Sequence, residues 1–239
     1  MATPEPDDPS ATVPTTSFWQ RIEPASDWHG RLSPPWRHGV PVALPDGDVL
    51  RLPIRRLPLS ADHAVASLIA NQASFAVVDR LTAAMLALAR PLGAEVVVGL
   101  PTLGMVFAPG VAQGLSHPRW VPLGYSRKFW YDEALSTPVS SITTPGAGKR
   151  LYLDPNQLPL LQGRRALLVD DAVSSGRTAL QAWRLLEGLG LQVVGLLVAM
   201  RQGDAWRETL GEARSAQVHG VFDSPLLERR DDGWWPRSR

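Results

Sequence analysis

Three short apolar runs constrain this chain more than anything else in it: "EVVVGL" at 95–100, "RALLVD" at 165–170 and "QVVGLLVAM" at 192–200. None alternates polar with apolar residues, so each reads as a strand covered on both faces. A helix-like stretch from Gly104 to about Ser116 follows the first run, and "TALQAWRLLEGLG", closed by glycine, lies between the other two. Shorter strands are expected at "RWVPLG" and "KRLYLD". Alternation of this kind predicts an α/β fold, a parallel sheet flanked by helices.

The rest of the chain is organised around that core. Residues 1–17, rich in Pro, Thr, Ser and Asp, read as a disordered tail. Residues 18–60 form a Trp- and Pro-rich N-terminal hood segment, with a hairpin signal at Asp46-Gly47. The core is expected over 61–215, opening with an alanine-rich helical pattern from Asp62 to Arg90. Residues 216–239, again aromatic and proline-rich, read as a C-terminal cap packing beside the N-terminal segment. Between Leu123 and Leu161 runs a long polar stretch, and a loop of that length in a compact domain is usually functional.

Composition excludes several function classes. Twenty-four Lys and Arg against 23 Asp and Glu leave no field to draw the chain to nucleic acid or anionic lipid. No helix-turn-helix or basic stripe is visible. The absence of cysteine removes thiolate catalysis and disulfides. Five scattered histidines lack metal-ligand spacing, so a zinc site is not expected. The opening residues do not read as a signal peptide, and no apolar run reaches the ~20 residues a membrane helix needs. Cytoplasmic residence is the expectation.

The chemistry is concentrated in "ALLVDDAVSSGRTA", 166–179. Two acids, Asp170 and Asp171, stand where a buried strand ends, and small residues lead into a helix. In open parallel sheets ligands bind at that place. A helix N-terminus offers unpaired N–H groups to a phosphate, and only small side chains let the phosphate reach them. Ser174, Ser175 and Thr178 add hydroxyl donors. The carboxylates can accept from vicinal sugar hydroxyls and sit close to a divalent cation. A sugar 5-phosphate with free 2- and 3-hydroxyls fits both halves.

"LLVDDAVSSGRT" resembles the phosphoribosyl pyrophosphate (PRPP) motif of the type I phosphoribosyltransferases, with Ser175 in place of the usual threonine and Arg177 in place of a common second glycine. The resemblance covers roughly residues 60–200. It implies the type I fold with a small hood, PRPP held by Asp170, Asp171, Ala172, Ser174, Ser175, Gly176, Arg177 and Thr178, and Mg2+ near Asp170 and Asp171 through ribose hydroxyls or water. "VVVGLPTLGMVFAPGVAQGL" looks like the family's pyrophosphate loop, with Thr102, Leu103 and Gly104 at the turn. Leu103 departs from the arginine or lysine often found there. "YSRKFWYDEALSTPVSSITTPGAGKRLYL" resembles the catalytic loop, and Arg127-Lys128 match the pair that opens it in adenine-type enzymes. Arg127, Lys128 and Asp171 are the catalytic candidates; Lys149-Arg150 reads as an ordinary solvated pair.

In the 6-oxopurine branch the third residue after the acid pair is an aspartate. Here it is Ser174, no general base at neutral pH, which disfavours hypoxanthine and guanine and favours an adenine-like purine. The resemblance implies transfer of phosphoribosyl from PRPP to a nucleobase with release of pyrophosphate, by a homodimer. An alternative is a regulatory protein of the same fold that binds PRPP without turning it over. A Rossmann-type nucleotide binder lacks its G-x-G-x-x-G and is set aside.

Overall fold

The computed structural model describes residues 17–139 and 149–238. The tail expected over 1–17 lies outside them save for its last residue, as does the 140–148 part of the expected catalytic loop. In chain order the elements are β1 (Gly39–Ala43), β2 (Val49–Arg56), β3 (His63–Ala66), α1 (Phe75–Ala89), β4 (Val96–Gly99), α2 (Ala108–Gly114) and β5 (Val121–Gly124). Then follow β6 (Ser136–Val139), β7 (Lys149–Leu153), the short α3 (Leu158–Leu161), β8 (Arg165–Val173), α4 (Arg177–Gly188) and β9 (Gln192–Gln202). α5 (Ala205–Ser215), β10 (Val218–Ser224), β11 (Leu226–Arg230) and β12 (Gly233–Pro236) complete the series. The chain separates into two compact units, Met1–Val78 with Phe222–Arg239, and Asp79–Val221.

The seven-stranded sheet runs β10-β9-β8-β4-β5-β7-β6. β4 is parallel to β5 and to β8, and β8 is parallel to β9. β7 and β6 extend it antiparallel beyond β5. The three apolar runs are therefore the adjacent central strands β4, β8 and β9. Val96, Val97, Val98, Leu167, Leu168, Leu196 and Leu197 are all buried, and each such side chain removed from water contributes about 1.5–3 kcal/mol. α4 adds Trp183 and Leu186 to this core, and α5, which the sequence reading did not anticipate, adds Trp206 and Leu210.

The first unit is a five-stranded sheet, β1-β2-β3-β11-β12. β1 and β2 form the hairpin around Asp46-Gly47, with Val42 opposite Leu50. β3 corrects the sequence reading, which continued the helix of α1 back to Asp62. "HAVA" instead pairs with both β2 and β11, and α1 starts only after Ser74, whose hydroxyl accepts from the Val77 N–H at 3.3 Å. Alanine-rich composition looked helical there, but two open strand edges outcompete propensity. Strands from both chain ends share this sheet. Phe18, Trp19, Leu52, Leu227 and Trp234 are buried, and the Trp19 indole N–H donates to the Ser67 carbonyl at 3.1 Å.

Candidate active site

The acid pair stands where β8 outruns its neighbour. β4 pairs with β8 only as far as Gly99 opposite Val169, whereas β9 continues alongside to Arg201 opposite Val173. The strand does not end at Asp170, as its sequence suggested, but runs on to Val173. At the level of the acids the β4 side is taken by the loop Pro101–Gly104, tied in by the Leu100 N–H to the Val169 carbonyl at 2.9 Å. The peptide between Pro101 and Thr102 is cis. Gly104 is sterically required here: a Cβ on it would lie 2.6 Å from the Val169 oxygen and 2.7 Å from the Asp170 Cα.

That close approach supplies hydrogen bonds. The Gly104 N–H donates to the Asp170 carboxylate, and the Asp171 N–H donates to Asp170 Oδ1 at 2.9 Å. They do not offset the environment. Burial, and then the charge of Asp171 beside it, hold the Asp170 carboxyl well above the usual carboxylate range. Burial raises Asp171 as well. Two adjacent acids that resist ionisation form a site where a cation or hydroxyl donors lower the energy of the charged pair. Among the described residues no group of three or more His, Asp or Glu gathers as a metal cage. A pair of carboxylates is nevertheless a donor set that suits magnesium, which takes one or two carboxylates and completes its shell with water and phosphate oxygens.

Beyond Val173 the chain turns through Ser174–Gly176 into α4. Gly176, at φ 74°, is the N-cap, and no side chain caps the helix through it. The Ser175 hydroxyl lies 3.5 Å from the Arg177 N–H. The first N–H groups of a helix have no intrahelical acceptor, so the start of α4 offers donors and a partial positive charge to an anion. Ser174 and Arg177 are exposed, Ser175 and Thr178 half-buried. α5 closes in behind the turn, with the Trp206 Cα 3.1 Å from where a Gly176 Cβ would be.

One residue passed over in the sequence belongs here. Tyr125 follows β5, is half-buried, and its phenol hydrogen-bonds the Thr178 side chain. Burial first, and then the nearby Asp170 charge, raise its pKa. Lys149 Nζ sits 5.4 Å from the centre of its ring. The signal was available: Tyr125 ends a parallel strand next to β4, on the side where such sheets bind ligands.

Thr102 is exposed and Leu103 half-buried at the turn beside Asp170. Arg127 pairs with Glu133 at 3.0 Å, both half-exposed, and Lys128 is exposed. A short helical turn, Glu133–Leu135, follows them, with Asp132 Oδ1 accepting from the Ala134 N–H at 2.9 Å. Arg150 donates to the Ser136 hydroxyl at 2.7 Å and pairs with Glu133 at 3.4 Å, a structural role at the base of β6 and β7.

A mostly parallel sheet flanked by helices, with an acid pair near the end of a central strand, a small-residue turn into the next helix and a glycine loop against its flank, defines an α/β protein. Residues 64–224 match the family model of the phosphoribosyl transferase domain, and the chain belongs to that family, a phosphoribosyltransferase of the type I fold. It is 32% identical over 136 residues to the adenine phosphoribosyltransferase of Frankia alni, covering 57% of this chain and 67% of that one. Among solved structures it is similar to the enzyme from Giardia lamblia complexed with 9-deazaadenine, at TM-score 0.58 and 19% identity, covering 72% of this chain and 93% of that one. It is similar also to adenine phosphoribosyltransferase from Rhodothermus marinus, at TM-score 0.54 and 21% identity, covering 71% and 93%.

Proposed function

We propose that the protein transfers phosphoribosyl from PRPP to an adenine-like purine, releasing pyrophosphate. The observation that carries this is the junction of the Asp170-Asp171 pair with the uncapped start of α4. In this reading Ser174–Thr178 and the α4 N–H groups hold the 5-phosphate, and the acid pair accepts from the ribose hydroxyls. The bond from ribose C1 to pyrophosphate breaks as the base nitrogen bonds C1. The Thr102–Gly104 backbone receives the departing anion, while Arg127 and Lys128 close over it and exclude water. Magnesium, held near Asp170 and Asp171 directly or through hydroxyls and water, supplies charge neutralisation at the pyrophosphate when bound.

The purine assignment is supported by Ser174, which offers no carboxylate to the base, and by the Frankia alni relative. The same reading assigns 61–215 to the transferase core, with 18–60 and 216–239 as hood and cap, and takes the working form to be a cytoplasmic homodimer. The test is pyrophosphate release from PRPP and magnesium with adenine, guanine, orotate and uracil in parallel. Release with adenine alone is expected. PRPP binding without release for any base would instead identify a PRPP-sensing regulator.

A further inference from the structure

The terminal-segment unit carries a cleft of its own, about 360 Å3 in volume. Trp28, Trp36, Arg31, Arg37, His38 and Arg51 line it, and none of its lining residues is acidic. Among the described residues no carboxylate pairs with Arg31 or Arg37. Arg51 reaches across from β2, its guanidinium 5.1 Å from the Phe18 ring centre. An adjoining recess shares Arg37 and His38 and adds Arg229, Arg230, Asp231 and Asp232, so the acid-free character belongs to the first cleft alone. In a chain with nearly balanced charge, the Arg31 and Arg37 guanidiniums beside a cleft with no acidic lining residue form a local field that favours an anion.

The two indoles are held in place. Trp28 Nε1 donates to Glu23 Oε2 at 2.8 Å, and Trp36 Nε1 donates to the Leu32 carbonyl at 3.1 Å. The Trp36 backbone is pinned by paired hydrogen bonds with Trp234, at 2.9 and 2.6 Å. With their N–H groups committed, what these rings can still offer a ligand is apolar ring surface. Pre-positioned ring surface beside the Arg31 and Arg37 guanidiniums suits a flat ring joined to a phosphate. The volume lies in the range of small-ligand pockets. We infer that this cleft is a mononucleotide-binding site, formed by the terminal segments and independent of the acid pair. It does not rest on the proposed transfer reaction.

Isothermal titration of the full-length chain tests it, with adenosine 5′-monophosphate, ribose 5-phosphate, inorganic phosphate and a twelve-residue oligothymidylate as probes. The background is Asp170→Asn with Asp171→Asn, which weakens nucleotide binding at the acid pair. That chain should still bind one adenosine monophosphate. Adding Arg31→Gln with Arg37→Gln should weaken binding about ten-fold or more, at unchanged melting temperature, because both side chains are exposed. If that variant misfolds, quenching of indole emission by adenosine monophosphate in the acid-pair background, and its reduction by Trp28→Phe, reads the same site. No binding in that background overturns the inference, as does binding indifferent to both the arginine and the Trp28 changes. Phosphate binding as tightly as the nucleotide would remove the ring from the site, and an oligonucleotide binding ten-fold tighter would reassign it to single strands.

Discussion

The acid pair and the terminal-segment cleft use charge and chain in opposite ways. At the first, two carboxyls are crowded together and pushed away from ionisation, and the acids, hydroxyls and helix start lie along one contiguous stretch, 166–179. At the second, three arginines face a space without an acid, on a sheet that joins residues near both ends of the chain. A site can thus be prepared for a cationic and hydroxyl-bearing partner or for an anion by the same device, crowding groups of one kind together. The difference lies in how each is built. A strand-to-helix turn delivers its chemistry locally, whereas a sheet closed by distant strands delivers it only after folding.

The largest expected effect separates the two regions. Asp170→Asn with Asp171→Asn should weaken PRPP binding at least about 100-fold, since each hydrogen bond to a charged group contributes roughly 1.5–3 kcal/mol. Nucleotide binding by the terminal-segment cleft should survive it. Calorimetry on the same protein reads both, and parallel loss of the two would mean that the regions are one site. Next in size, Arg127→Ala or Lys128→Ala should cost about 2.7–4 kcal/mol in kcat, as for the loss of one oxyanion donor. PRPP affinity should change far less, because the phosphate and ribose are held by other groups. Unchanged kcat in both variants would remove the loop from catalysis.

What the sequence showed and what it hid follow the same division. β4, β8 and β9 were readable because uninterrupted apolar runs have few other fates, and 166–179 because acids, hydroxyls and glycine fall in order along one segment. β3 was misread as helix because "HAVA" has no local signal strong enough to oppose its alanines; its pairing with β2 and β11 is decided more than 150 residues downstream as well as nearby. Tyr125 was missed because its role depends on Thr178, on a different element. The arginine cleft was invisible for the same reason: Arg31, Arg37 and Arg51 look like scattered surface charge until β1 and β2 pair.

Steric fit at the acid pair should show in stability. Gly104→Ala should cost about 1–3 kcal/mol, because its Cβ meets backbone that cannot rotate away. At about 2–4 °C per kcal/mol for a chain of this size, thermal unfolding resolves that. Gly188→Ala, where a Cβ meets nothing within 4 Å, is the control and should be neutral or slightly stabilising. Equal losses at both positions would show that the loop is not packed against β8 as described.

The smallest effect is also the one that best exposes the cost of the acid pair. Asp170 has a raised pKa in the folded chain, so the folded state binds more protons than the unfolded state between the two values. Its contribution to stability is therefore fully present below the ordinary carboxylate value and is lost as pH rises through the folded one. Asp170→Asn removes that titration while its amide oxygen can still accept from the Gly104 and Asp171 N–H groups. Without ligand, the variant should be more stable than the wild type near neutral pH. The gap should close as pH falls into the carboxylate range, because the wild-type acid is then neutral in both states. Melting curves of the two proteins across pH 4–8 measure this difference directly, and common pH effects of other groups cancel in the subtraction. A variant less stable than the wild type throughout would mean that Asp170 supports the fold, and the acid pair would then be structural rather than held ready for a ligand.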